Sequence, residues 1–496
     1  MFNRSSGILL PISALPSKYG IGTFGKEAYY FIDFLQKSGQ KYWQVLPMGP
    51  VSYGDSPYSS LSVYAGNPYY IDLEPAIEDG LISEKDCEIL KSETNKKYID
   101  YEKQFYKRYK ILYKIYKNSK TKYQNEINEF KQSNKWVSDY GLFMALKYKY
   151  NQLPWYNWDN EIVNREQNAI NNIKIQLNDK IEFWIFLQYL FYKQYYKLKE
   201  YAGKKGILII GDIPIYAAED SVDVWCNSEL FMFDEHKIPS LAAGVPPDSF
   251  SKEGQLWGNP VYNWRYLKET DYEWWINRIA WSFKLYDVVR IDHFRGFDEF
   301  WAVPKHYKNA VNGKWLKSNG KELFDNINKQ LGSLNIIAED LGIITSSVAE
   351  LKNNAGFPGM KILQFAFDGN LKNPYLPENY EENSVAYTGT HDNDTLKGWF
   401  EKLDNSAKQY VLNTLNINVN ESKKENNINY KLINSLYMSK ADLCIVPMQD
   451  FLCLNSEARI NTPSTLGGNW QWRIEKELLT DGLAQKIKTM VNQSNR

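Results

Sequence analysis

The chain has 496 residues, more than one ordinary domain needs, so a large core with insertions is expected. Lys plus Arg number 59 and Asp plus Glu number 59, which leaves no basic field for a phosphate backbone and excludes nucleic acid as an expected partner. Four scattered cysteines, Cys87, Cys226, Cys444 and Cys453, make neither a disulfide framework nor a C-x-x-C pair, and point to a reducing cytoplasm.

In chain order, the first buried strand is GILL at 7–10, within an apolar stretch that two prolines interrupt and a single arginine precedes. That stretch is a poor signal peptide and no membrane span, so a cytoplasmic location is expected. YWQVL at 42–46 is the second strand and ILII at 207–210 the third. The gap of about 160 residues between them far exceeds a βα connection. Its part from about 83 to 200, dense in Lys, Glu, Tyr and Leu with almost no Gly, predicts a mainly helical insertion. VVRI at 288–291, NIIAE at 335–339, KILQFAF at 361–367, VAYTG at 385–389 and LCIVPM at 443–448 complete eight apolar runs separated by helix-length segments. Eight such runs predict an α/β chain whose parallel strands close into a (β/α)8 TIM barrel, with 1–496 as one catalytic unit.

FWAVP at 300–304 starts only eight residues after Asp292, too soon for a parallel crossover, and is placed in the connection after the fourth strand. With the Pro- and Gly-rich stretch 244–260 it gives 244–304 the character of loop insertions over the cleft. Residues 401–435 read as a helix followed by a mobile polar loop, because apolar positions keep helical spacing only early.

Catalytic groups of such barrels sit at the carboxyl ends of strands. Asp212 follows ILIIG, Asp292 follows VVRI, Glu339 closes NIIAE and Asp392 follows VAYTGTH. A lone acid there is usually a helix cap, but four on one rim repel one another and need a reason to be gathered. Glycosidic bonds are broken or transferred by paired carboxyl groups, and a neutral, hydroxyl-rich substrate suits the rim. Arg290 and Asp292, two apart on a strand, face the same side, where the cation favours an ionised Asp292. His293 and His391, two of only four histidines, adjoin proposed catalytic acids and are donors for sugar hydroxyls. The sequence has no helical His pair or facial-triad spacing, no phosphate-cradling glycine loop and no G-x-S-x-G, so neither a metal nor a cofactor is expected. The 16 Trp and 37 Tyr offer flat faces for sugars, although the Asn-, Lys- and Ile-rich composition accounts for part of the Tyr excess.

GDIPIYAAEDSVDVW (211–225), VVRIDHFRGF (288–297), IAEDLG (337–342) and GTHDND (389–394) resemble, in order, the active-site regions of the 4-α-glucanotransferases, or amylomaltases, of the α-amylase clan. GILLPISALPS and GDSPYSS near the start and NTPSTLGGNWQWR at 461–473 extend the likeness almost end to end. The resemblance implies retention of α configuration, with Asp292 as nucleophile, Glu339 as acid/base and Asp392 as stabiliser of the distorted sugar. It implies that GVPPDSFSKEGQLWGNP (244–260) arches over the cleft with Gln255 and Trp257 near the glucan. Ser56, Tyr58 and Asn461 are expected at sugar subsites, while Asp212 either binds a hydroxyl or braces Arg290. Ser464 stands where many relatives have glycine, which suggests a different turn beside Asn461. The expected partners are α-1,4-glucan donors and acceptors. Two rivals remain: a hydrolase on the same scaffold, and a noncatalytic glucan-binding protein, against which the three intact carboxylates argue.

Overall fold

Aliphatic runs become parallel strands when both of their faces are covered, since every position then gains from burial. The computed structural model describes residues 2–52, 54–91, 97–247, 251–342, 344–417, 427–465 and 467–496. Among these are twelve strands, β1 to β12 in chain order. Eight are the expected runs: β1 (Ser5–Leu9), β2 (Tyr42–Gln44), β3 (Leu208–Ile213), β6 (Val288–Ile291), β9 (Ile336–Ala338), β10 (Gly359–Ile362), β11 (Ser384–Tyr387) and β12 (Leu443–Pro447). They close a barrel in the order β1-β12-β11-β10-β9-β6-β3-β2, every pairing parallel. Trp43, Ile210, Val289, Ile337, Val385 and Ile445 are buried in its wall. Gly211 has no alternative on β3, because a Cβ there would lie 2.2 Å from the Tyr286 ring.

The seam between the first and last strands is bolted from below by two guanidinium groups. Arg4 donates to the carbonyls of Ser494, Ser439 and Tyr437 at 2.8–2.9 Å, and Arg496 to those of Tyr437, Ala441 and Ser439 at 2.7–3.0 Å. Together the six bonds satisfy four carbonyls, those of Tyr437 and Ser439 receiving one from each arginine.

Between β2 and β3 run the helices Tyr109–Ser119, Gln124–Ser133, Trp136–Lys149, Gln167–Gln176 and Asn178–Lys204. The 27-residue last helix buries Phe183, Trp184, Phe186, Leu187 and Phe191. It packs closely on Trp136–Lys149 at Gly141, where a Cβ would stand 2.9 Å from Ile185.

Three expectations need correction. KILQFAF is not one strand: β10 begins at Gly359 and ends at Ile362, and Leu363–Phe365 turn as a 3-10 helix. FWAVP lies outside the barrel in the connection after its fourth strand, as expected, but there it is a strand and not a loop: β7 (Glu299–Pro304) lies in a second, antiparallel sheet with β4 (Leu241–Val245), β5 (Gln255–Pro260) and β8 (Lys314–Lys317), in the order β5-β4-β7-β8. Here β4 pairs with β7 across some sixty residues, Leu241 opposite Pro304 and Gly244 opposite Trp301. The stretch 401–435 holds the helix Asn405–Thr414, and its later part is helical again at Asn427–Met438, where Leu432, Ile433, Leu436 and Tyr437 are fully buried. Their spacing is that of one helix face, obscured in the sequence by the surrounding asparagines. The rest of the expected polar loop, 418–426, lies outside the described residues, as do 248–250 of the 244–260 stretch.

Candidate active site

Strand ends deliver the four acids to one rim. On β3, Asp212 is fully buried and accepts two bonds from Arg290 Nη1, at 2.8 and 2.7 Å, and one from the Tyr58 hydroxyl at 2.8 Å. The same Nη1 lies 3.1 Å from Asp292 Oδ1. One buried cation thus binds a closed-off carboxylate and an open one, for Asp292 is 30% exposed. Burial pulls Arg290 down, but Asp212 and Asp292 outweigh it and hold its guanidinium well above the ordinary range. Burial in turn raises the Asp212 carboxyl against the pull of Arg290.

Glu339 follows β9. Its carboxylate accepts the main-chain N–H of His293 at 2.7 Å and of Leu341 at 2.9 Å. Its backbone is held to residues on either side of Asp292, Glu339 N donating to Ile291 O and Phe294 N to Glu339 O, both at 3.0 Å. Burial raises this carboxyl to about 7; Arg290 and the two N–H bonds oppose the rise, and the Asp292 charge adds to it. His293 adopts a left-handed backbone, φ 50°. Its imidazole, pushed down to about 4 by burial, is neutral at pH 7.

Asp392, 47% exposed, is fixed by Asn461 Nδ2, which donates to Oδ1 at 2.6 Å, and lies 3.4 Å from His391 Nε2. Tyr58 stacks on His391 with ring centroids 4.9 Å apart, and its hydroxyl is 3.3 Å from His391 Nδ1. Burial, and then the Asp212 charge, push the Tyr58 phenol up, so it remains a donor. Ser56 Oγ accepts the Tyr58 N–H at 3.3 Å, shaping the turn that presents the ring. Ser464 has φ 62°, so a serine occupies the left-handed position where glycine was expected.

Gln255 and Trp257 sit on a strand within the stretch expected to be a loop. They begin β5, where Trp257 Nε1 donates to Gln255 Oε1 at 3.2 Å. The indole, 38% exposed, meets the His293 ring edge-on at 4.8 Å and Tyr216 at 6.3 Å.

Sequence reasoning missed several neighbours. Arg459 donates to Asp392 O at 2.5 Å and to Asn461 O at 2.6 Å, and Trp470 lies 5.8 Å from His391 and 5.9 Å from Tyr58. Trp470 lies in the NTPSTLGGNWQWR stretch, whose density of Trp, Asn and Gly was the available signal for it, and Arg459 stands two residues before that stretch. Among the described residues, no three His, Cys, Asp or Glu side chains are grouped to hold a metal ion, and no helix is long and apolar enough to cross a membrane.

The family model for 4-alpha-glucanotransferase matches residues 10–480. The chain is 50% identical over 478 residues to a 4-alpha-glucanotransferase of Clostridium butyricum, covering 96% of this chain and 97% of that one. It is 41% identical to the enzyme of that name from Thermus thermophilus over 500 residues, 99% of each. The amylomaltase of Streptococcus agalactiae, solved in complex with acarbose, superposes with a TM-score of 0.96 at 44% identity, covering 99% of both chains. At 17% identity and a TM-score of 0.79, the Corynebacterium glutamicum amylomaltase shares the fold. A family model spanning nearly the whole chain, and relatives alike from end to end, mean that this protein belongs to the 4-alpha-glucanotransferases, enzymes of glycosyl transfer.

Proposed function

We propose that the enzyme moves α-1,4-glucan segments between maltooligosaccharides by a retaining double displacement carried by Asp292, Glu339 and Asp392. The observation that carries this reading is the contrast between two neighbouring carboxyls: Asp292 is ion-paired to Arg290, whereas burial lifts Glu339 to about 7. One is suited to attack and the other to hold a proton at neutral pH. In the first step Asp292 Oδ attacks the anomeric carbon while Glu339 gives its proton to the departing glycosidic oxygen. In the second, the 4-hydroxyl of an acceptor glucan attacks the glucosyl ester, its proton passes to Glu339, and Asp292 leaves as carboxylate. Each half-reaction returns the other's proton, so no cofactor is required.

Asp392, held by Asn461, stands to stabilise positive charge on the sugar ring at the transition state. Tyr58, His293 and His391 contribute sugar contacts, with Gln255 and Trp257 on the acceptor side. Asp212, with both oxygens taken, acts through Arg290. The likeness to an amylomaltase that binds acarbose supports a glucan in this cleft, and the cysteine usage supports a cytoplasmic location. The test is to incubate pure protein with maltotriose and resolve the products by length. A ladder of longer glucans plus glucose is expected; simple shortening would make the enzyme a hydrolase.

A further inference from the structure

Two side chains outside the carboxylate cluster fasten the strand that carries Trp257. Asn259 Nδ2 donates to Ala217 O at 2.9 Å. Lys305, the residue after β7, forms a close ion pair with Glu219 and reaches Gly258 O at 3.4 Å. Glu219 is itself rigidly held. Its carbonyl accepts the Trp155 indole N–H at 2.7 Å, and the next residue, Asp220, accepts Trp155 N at 3.1 Å and Lys147 Nζ at 2.5 Å. Trp155 is fully buried. Gly258 has a left-handed backbone, φ 84°, and open space where a side chain would be, so packing at that position does little to fix the residue after Trp257. The ion pair is half-buried, with 34% of the Lys305 and 17% of the Glu219 side chain exposed, which spares it much of the screening an open surface pair suffers.

We propose that Lys305, anchored on Glu219, is a positioning residue for transfer: it holds the Gly258 carbonyl, and with it the Trp257 indole, at the height where an acceptor sugar rather than water reaches the glucosyl ester. This rests on the reading that Trp257 belongs to the acceptor side. In either outcome the ester bond to Asp292 breaks and a new bond forms at the anomeric carbon. With a sugar acceptor the new bond is a glycosidic one and the hydroxyl proton goes to Glu339; with water the same events leave a free reducing end.

The test compares released reducing ends with total bonds cleaved on maltotriose, for wild type, Lys305→Met, Glu219→Gln, the double variant, Lys305→Arg and Trp257→Ala. Thermal midpoints verify folding. Lys305→Met and Glu219→Gln are each expected to raise the hydrolysed fraction about threefold, the double variant no further, and Lys305→Arg to restore the wild-type fraction. An unmoved fraction in both neutral variants, with a raised one in Trp257→Ala, overturns the latch and leaves the role of Trp257 standing. An unmoved fraction in Trp257→Ala overturns both. Lys305→Arg behaving like Lys305→Met overturns it too, since a retained positive charge on Glu219 would then fail to hold the strand.

Discussion

In the proposed mechanism Glu339 must carry a proton to begin the reaction, and burial raises its carboxyl from the ordinary 4.5 to about 7. That difference corresponds to about 3 kcal/mol favouring the protonated form, net of two N–H bonds that favour the ionised one. The sign follows directly: the acid is present below pH 7 and lost above it. For a natural glycosidic bond, kcat/KM should therefore fall on the alkaline side with an apparent pKa of about 7, approaching tenfold per pH unit. The perturbation is Glu339→Gln, assayed with an α-glucosyl fluoride, whose leaving group needs no proton, and azide, an acceptor that needs no base. Transfer to azide should be rescued and its rate should be level from pH 6 to 8, whereas wild type on maltotriose shows the alkaline fall. A fall with the same apparent pKa in Glu339→Gln would refute the assignment, because some other group would be titrating.

Asp292→Asn should lower kcat by about 10⁴-fold or more while maltotriose still binds, as isothermal calorimetry can measure; substantial residual turnover would remove Asp292 from the nucleophile's role. Asn461→Ala removes a charge-assisted bond to Asp392 and should cost about tenfold in kcat with KM changed much less; the reverse split would make Asn461 a ground-state binder. Ser464→Val places a β-branched residue at φ 62° and should lower the urea midpoint, by about 1–2 kcal/mol of stability, whereas Ser464→Gly should stay within about 0.5 kcal/mol of wild type.

The barrel was legible because its strands are buried on both faces and stand out as apolar runs, and because acids stand at or shortly past the ends of four of them. Asp292 and Arg290 were readable as a pair from the two-residue period of a strand, and they meet at 3.1 Å. The second sheet was hidden by its pairing: the apolar run FWAVP was visible, but its partner β4 lies some sixty residues earlier in the chain, beyond the reach of any local pattern. Trp257 was expected on a loop over the cleft because the Gly and Pro around it mimic turn chemistry, yet Gly258 is the left-handed step inside β5. Arg459 was invisible for another reason. It acts on main-chain carbonyls, and nothing in an arginine's neighbours along the sequence tells which carbonyl it will reach.

Pairing of β1 with β12 also sets a schedule for biosynthesis. Ser5 lies opposite Leu443, so the first strand's outer edge waits for a partner 438 residues downstream. At about 5–20 residues per second, the ribosome needs roughly 20–90 s to supply it. During that time β1 can pair with β2 alone, and its other edge is a template for any strand nearby. Arg4 and Arg496 both grip the carbonyls of Tyr437 and Ser439, so these bonds form only after β12 and the residues beyond it have been made, and the interval before the seam closes is one of exposure to misassembly.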